Sequence, residues 1–129
     1  MKNKTIYVGI DVDDTSFHFN AVCKDTGEFI EDKTKPNASS LLKQLDRLKS
    51  KHYTVKCCYE ASYCGFGLQR FLSKNGFDTQ VIAPSSLMRR SGKHIKTDRL
   101  DAKQLAIQFS NDQLTYVNIP SDEDIQDRS

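Results

Sequence analysis

The sequence predicts an α/β domain on a mixed five-stranded sheet, with elements in the order βββ-α-β-α-β-α and helices on the sheet faces. Three observations predict it. "TIYVGIDV" (Thr5–Val12) is β-branched and apolar with almost no polar interruption, the pattern of a strand buried on both faces and central in its sheet. Two more strand-like runs follow across short turns, which makes a meander. The remainder alternates helix-period and strand-period segments, and such units return to a sheet by right-handed crossovers.

Each element has its own reason. "SFHFNAVC" (Ser16–Cys23) alternates large and polar residues after the turn "DVDDT" and reads as the second strand of a hairpin. "KDTG" (Lys24–Gly27) is a turn. "EFIEDKTK" (Glu28–Lys35) is a more polar third strand, suited to a sheet edge. Pro36–Asn37 closes the meander. In "ASSLLKQLDRLKSK" (Ala38–Lys51), Leu41, Leu42, Leu45 and Leu48 form one helical stripe. "YTVKCCYEA" (Tyr53–Ala61) is a fourth strand. "CGFGLQRFLSKNG" (Cys64–Gly76) is a helix stopped by Gly76. "FDTQVIAP" (Phe77–Pro84) is a fifth strand, and "SSLMRRSGKH" (Ser85–His94) a short helix or loop. "TDRLDAKQLAIQFS" (Thr97–Ser110) reads as a third helix with Thr97 as its N-cap. From Asn111 the chain has one short apolar patch (Leu114–Ile119) and then "PSDEDIQDRS", a tail expected to be poorly ordered alone.

Length and composition bound the function. The 129 residues suit one domain, 37% hydrophobic and 28% charged, long enough to bury a core without staples. No apolar run approaches the length of a membrane span, and the start "MKNKTIYVGID" lacks a signal-peptide pattern. The four cysteines, Cys23, Cys57, Cys58 and Cys64, form no C-x-x-C pair. Buried free thiols in a reducing cytoplasm are a better reading than a zinc site. The net charge of +2 is unevenly spread. Arg89 to Lys103 has six basic residues against two acids, whereas Asn111 to Ser129 has five acids against one arginine. That asymmetry fits a polyanion-facing patch beside an acidic tail, and equally a solvated charged face.

Four carboxylates stand out by position. Asp11 ends the first strand, Glu60 ends the fourth, and Asp98 and Asp101 open the last predicted helix. Sites in open α/β sheets gather beyond the carboxyl ends of strands. If the first and fourth strands are parallel neighbours, Asp11 and Glu60 emerge side by side. On a helical wheel Asp98, Ala102, Leu105 and Phe109 share one stripe, flanked by Asp101. The apolar members anchor that face, and the acids then lean toward the strand ends. Clustered carboxylates repel one another unless a cation joins them, and oxygen ligands suit Mg²⁺ or Mn²⁺. Two such ions support phosphodiester chemistry. Each acid also has an ordinary reading: Asp11 in a turn, Glu60 paired with Arg70 or a lysine, Asp98 favouring a helix N-terminus, Asp101 in a surface ion pair.

Other candidates are weaker. Asp13 and Asp14 belong to the hairpin turn. His18, His52 and His94 have no metal-binding spacing. Ser62, Ser85 and Ser86 have no nucleophile context. Tyr63 and Phe66 suit the core better than a stacking surface. The basic run Arg89, Arg90, Lys93, His94, Lys96 and Arg99 would hold nucleic-acid phosphates beside an acid-and-metal site.

"YVGIDVDDTSFHFNAV", "YEASYCGFGLQRFLSKNGFDTQVIAPS" and "KTDRLDAKQLA" together resemble the N-terminal DEDD domain of the IS one-ten family of insertion-sequence transposases, relatives of the pilin-gene invertases. The last stretch is the most specific, since the family shares K-T-D-R-x-D-A there. The resemblance runs from about Tyr7 to Pro120. It implies a RuvC-like, ribonuclease-H-type fold. By matching motif it places the four family acids on Asp11, Glu60, Asp98 and Asp101. It implies Mg²⁺ (or Mn²⁺) binding, DNA strand cleavage and exchange, a structured guide RNA (the bridge RNA) and a homo-oligomer. Residues 1–110 would be the catalytic domain and 111–129 an acidic tail. Family members continue into a helical segment and a C-terminal domain with a nucleophilic serine, so the chain reads as a shortened piece or a gene remnant. "DVDDTSF" departs from the family in its Asp13–Asp14 pair, which adds negative charge beside the site.

Two other classes stay open. An actin-like nucleotide-binding domain shares a distant sheet topology, but its phosphate-binding turn needs glycines where this chain has Asp13 and Asp14. A non-catalytic RNA- or DNA-binding or assembly module could use Leu100 and Ile107 as a partner surface.

Overall fold

β1 (Lys4–Val12) lies at the centre of a five-stranded sheet, which explains why it is apolar on both faces. A computed structural model of the chain describes residues 4–13, 15–51, 53–61, 66–83 and 101–118. The other strands are β2 (Phe17–Cys23), β3 (Glu28–Thr34), β4 (Tyr53–Glu60) and β5 (Asp78–Ile82). The sheet order is β3-β2-β1-β4-β5. β1, β2 and β3 form an antiparallel meander, and β4 and β5 run parallel to β1. This is the mixed α/β sheet of a ribonuclease-H-like fold. Polar β3 lies at an edge, as its composition requires.

Among the described residues, three helices cover the two faces of the sheet. α1 (Ala38–Ser50) opens at Asn37, whose side chain accepts from the Ser40 backbone N–H. It buries Leu41, Leu45 and Leu48, three members of the predicted stripe. α2 (Gly67–Lys74) buries Leu68 and Leu72 and has no side-chain cap of its own. Instead the Gln69 N–H donates to the hydroxyl of fully buried Tyr59, tying the helix start to β4. Both helices pack against the main core, where Ile6, Val8, Ile10, Phe19, Cys57, Tyr59 and Val81 meet. Phe66 is half-buried against this core, on the core side of the two readings given to it.

α3 (Ala102–Ser110) covers the opposite face, burying Leu105 and Phe109 against Cys58 and Ile82. It begins five residues later than expected. The predicted N-cap Thr97 is not the cap of this helix; Asp101 is, with extended backbone at ψ 174° and its Oδ1 accepting from the Gln104 N–H at 2.9 Å. Asp-x-x-Gln is itself a cap spacing. Asp101 therefore stands at the helix mouth as its cap, rather than within the helix beside the stripe of Ala102, Leu105 and Phe109.

The first part of the expected tail is ordered on the sheet. The Ala83 N–H donates to the Thr115 carbonyl and the Val117 N–H to the Val81 carbonyl, both at 2.8 Å. This segment runs antiparallel along the outer edge of β5, with Ile82 bridged to Tyr116. Leu114 packs on the α3 cluster, and Tyr116 meets the Phe109 ring edge-on with centroids 6.3 Å apart. A local apolar patch has thus found the free edge of a parallel strand. Among the described residues no helix is long and apolar enough to cross a membrane.

Candidate functional site: a carboxylate-lined cleft at the mouth of α3

Strand register brings the site together. Ile10 of β1 pairs with Tyr59 of β4, so Asp11 and Glu60 follow one residue later on neighbouring parallel strands. Side chains alternate along a strand, so both share a face with Gly9 and Cys58, the face that α3 covers. The helix crosses β1 at unusually short range: a Cβ on Gly9 would stand 2.5 Å from the Ala102 carbonyl oxygen and 2.6 Å from the Ala106 nitrogen. Only glycine fits there. Phe109, at the far end of the helix, meets Tyr7 edge-on at 5.3 Å. α3 therefore runs antiparallel to β1 and points its N-terminus at the Asp11 end.

The result is a cleft of about 430 Å³ lined by Asp11 and Asp101 together with His18, Asn20, Lys33 and Lys103, among others. Asp11 is half-buried and Asp101 exposed. Glu60 is half-buried at the end of β4, and it does not line this cleft. Asp98 and the basic residues Arg89, Arg90, Lys93, His94, Lys96 and Arg99 lie outside the described residues, as do Asp14, Tyr63 and Leu100. The structure thus brings Asp11 and Asp101 into one cleft and sets Glu60 beside Asp11 on the next strand.

Sequence reasoning missed the β2 and β3 wall. His18 is the register partner of Asp11, and Asn20 that of Gly9. Lys33 and Glu31 stand next to them on β3. The signal was present in "FHFNAV", whose polar positions share one face. Which face α3 would cover depends on long-range register, and that is not local information. Lys103 reaches from α3 over the Phe29 ring at 5.3 Å, so both walls of the cleft carry a lysine.

The donor chemistry of this cleft suits a hard divalent cation. Its oxygen donors are the carboxylates of Asp11, Glu31, Asp32 and Asp101, set beside the cations Lys33 and Lys103, and the Asn20 Oδ1 is buried without a hydrogen-bond partner. Among the described residues no three His, Cys, Asp or Glu side chains form a group that could hold a metal ion. Asp11 and Asp101 would hold such an ion as a pair, with further oxygens from elsewhere. The thiols have no part in this site: Cys23, Cys57 and Cys58 are free and buried. Burial pushes the Cys57 thiol up to about 12 and Cys58 in the same direction, which keeps both protonated and inert.

Comparison with known proteins finds transposases among the similar sequences. The IS110 (IS one-ten) DEDD family model, described as a transposase, matches residues 8–127. The transposase for insertion sequence element IS1533 of Leptospira borgpetersenii is 34% identical over 82% of this chain and 31% of its own length. A putative transposase, y4qE, of Sinorhizobium fredii is 36% identical over 67% of this chain and 22% of its own. A solved structure, the Marinitoga piezophila Argonaute in complex with 5′ OH guide RNA and target DNA, is 20% identical with a TM-score of 0.39, over 64% of this chain and 16% of that one. The chain spans about a third or less of the curated relatives it matches. With its match running almost from end to end, this chain belongs to the IS110 family of DEDD transposases.

Proposed function

We propose that this domain is the metal-dependent catalytic part of a DNA transposase, cleaving and exchanging DNA strands. The observation that carries the reading is the convergence of Asp11 and Asp101 on one cleft at the C-terminal end of the central strand, within a chain of this family. Asp11, Glu60, Asp98 and Asp101 are the proposed carboxylate set for Mg²⁺, with Mn²⁺ as its substitute.

The residues divide the work by chemistry. Asp11 offers oxygen from a rigid central strand. Asp101 is held by its own cap bond, which leaves its second carboxylate oxygen to serve the cleft. Glu60 would contribute from the adjoining strand, and Asp98 from the segment before α3. A bound Mg²⁺ would activate an attacking oxygen and stabilise the leaving one at a phosphodiester. Arg89, Arg90, Lys93, His94, Lys96 and Arg99 would hold the nucleic-acid backbone, since cations replace counterions along phosphates. DNA, a structured guide RNA and further copies of the chain are the partners this reading implies, in the cytoplasm.

A second reading is a nucleic-acid-binding or assembly module without chemistry. It is favoured by Lys33 and Lys103, which line the cleft from both walls and suit a phosphate backbone without any metal. The test is binding of single- and double-stranded DNA with and without Mg²⁺, in wild type and Asp11→Asn. Metal-enhanced binding lost in Asp11→Asn supports the catalytic reading. Salt-dependent binding indifferent to metal and to Asp11 supports the module.

A further inference from the structure

Asn20 is an odd residue for its place. It sits in the middle of β2, 4% exposed, paired in register with Gly9 on one side and Glu31 on the other. Its Oδ1 is enclosed and accepts no hydrogen bond. An apolar side chain there would avoid the desolvation penalty of that unpaired acceptor. Buried polar groups left without a partner mark a bound ion, a water or a chemical role.

The surroundings select among these. Asn20 lines the same cleft as Asp11 and Asp101 and projects from the same face of the sheet as Asp11. Mg²⁺ and Mn²⁺ demand around six oxygen ligands, more than those two carboxylates supply. Resting on the reading of this cleft as a divalent-cation site, we propose that the Asn20 carboxamide oxygen is a further ligand of the cation that Asp11 and Asp101 hold. A neutral amide oxygen adds a ligand without adding charge, so phosphate can approach the same ion.

The test is Mn²⁺ titration of the 129-residue chain, followed by electron paramagnetic resonance, on wild type and four variants. Asn20→Ala and Asn20→Leu are expected to weaken Mn²⁺ binding about tenfold or more. Asn20→Leu should melt no lower than wild type, since it removes the orphaned oxygen, and this separates binding from folding. Asn20→Asp keeps an oxygen and adds charge, so it should bind Mn²⁺ at least as tightly as wild type. Asp11→Asn should lose binding. Wild-type affinity in Asn20→Ala and Asn20→Leu, with binding lost in Asp11→Asn, would overturn the role of Asn20 alone and leave its oxygen to an ordered water. Unchanged binding in Asp11→Asn would overturn the cation site and the Asn20 role with it. Should both apolar variants fail to fold, weaker binding by Asn20→Asp overturns the proposal by itself.

Discussion

Gly9 lies directly beneath Ala102: a Cβ at Gly9 would come within 2.5 Å of the Ala102 carbonyl oxygen. This contact sets how far Asp101, one residue before Ala102, stands from Asp11, two residues after Gly9. A methyl group at position 9 has nowhere to go, because the opposing atoms are helix backbone. Gly9→Ala should destabilise the domain by about 1–3 kcal/mol, as overpacking does. Urea unfolding measures that loss. The same variant should bind Mn²⁺ more weakly than wild type, because α3 must lift from β1 and carry Asp101 with it.

Asp101 has two duties that substitution can separate. Its Oδ1 caps α3 through the Gln104 N–H, and its charge belongs to the proposed cation site. Asparagine caps as well as aspartate does, while alanine costs about 1 kcal/mol. Asp101→Asn should therefore keep the wild-type melting temperature and lose Mn²⁺ affinity. Asp101→Ala should lose both. Thermal melting with and without Mn²⁺ reads the two effects apart.

The strand-like segment Thr115–Val117 closes the β5 edge and helps hold α3 through Leu114 and Tyr116. A chain ended at Asp112 should melt at lower temperature and self-associate, because an uncovered strand edge pairs with other chains. Differential scanning calorimetry and sedimentation velocity check the two outcomes.

Stability should fall at alkaline pH for a stated reason. Burial pushes the Cys57 thiol from 9.0 to about 12, so the folded state holds its proton where the unfolded state has released it. The contribution is fully present below the unfolded value and is lost as pH rises toward the folded one. The slope for one such group approaches ~1.4 kcal/mol per pH unit. Cys57→Ala should show a shallower loss of stability between pH 9 and about 11 than wild type, measured by urea unfolding at each pH. Thiol reagents should label Cys57 and Cys58 only after unfolding.

The fold was legible because its signals are local. "TIYVGIDV" reads as a central strand whatever surrounds it, the leucine spacing of α1 marks its buried stripe, and the polarity of β3 assigns it to an edge. The start of α3 was misread because Thr97 and Asp101 both satisfy cap chemistry, and local sequence does not choose between them. The site was half legible. Position at a strand end singled out Asp11, and position at the opening of the last helix singled out Asp101. Asn20, His18 and Lys33 were hidden, because a polar residue on an alternating strand looks solvent-facing until register and a covering helix place it. The ordered Leu114–Val117 segment was hidden for the same reason, since its partner is an edge contributed by residues more than thirty positions earlier.

The central claim is that Asp11 and Asp101 are two parts of one divalent-cation site. Isothermal titration of the 129-residue chain with Mn²⁺ tests it most directly, comparing wild type with Asp11→Asn and Asp101→Asn. The account predicts saturable binding by wild type and affinity at least about tenfold weaker in each variant, with folding intact. Equal Mn²⁺ binding by all three proteins would contradict it.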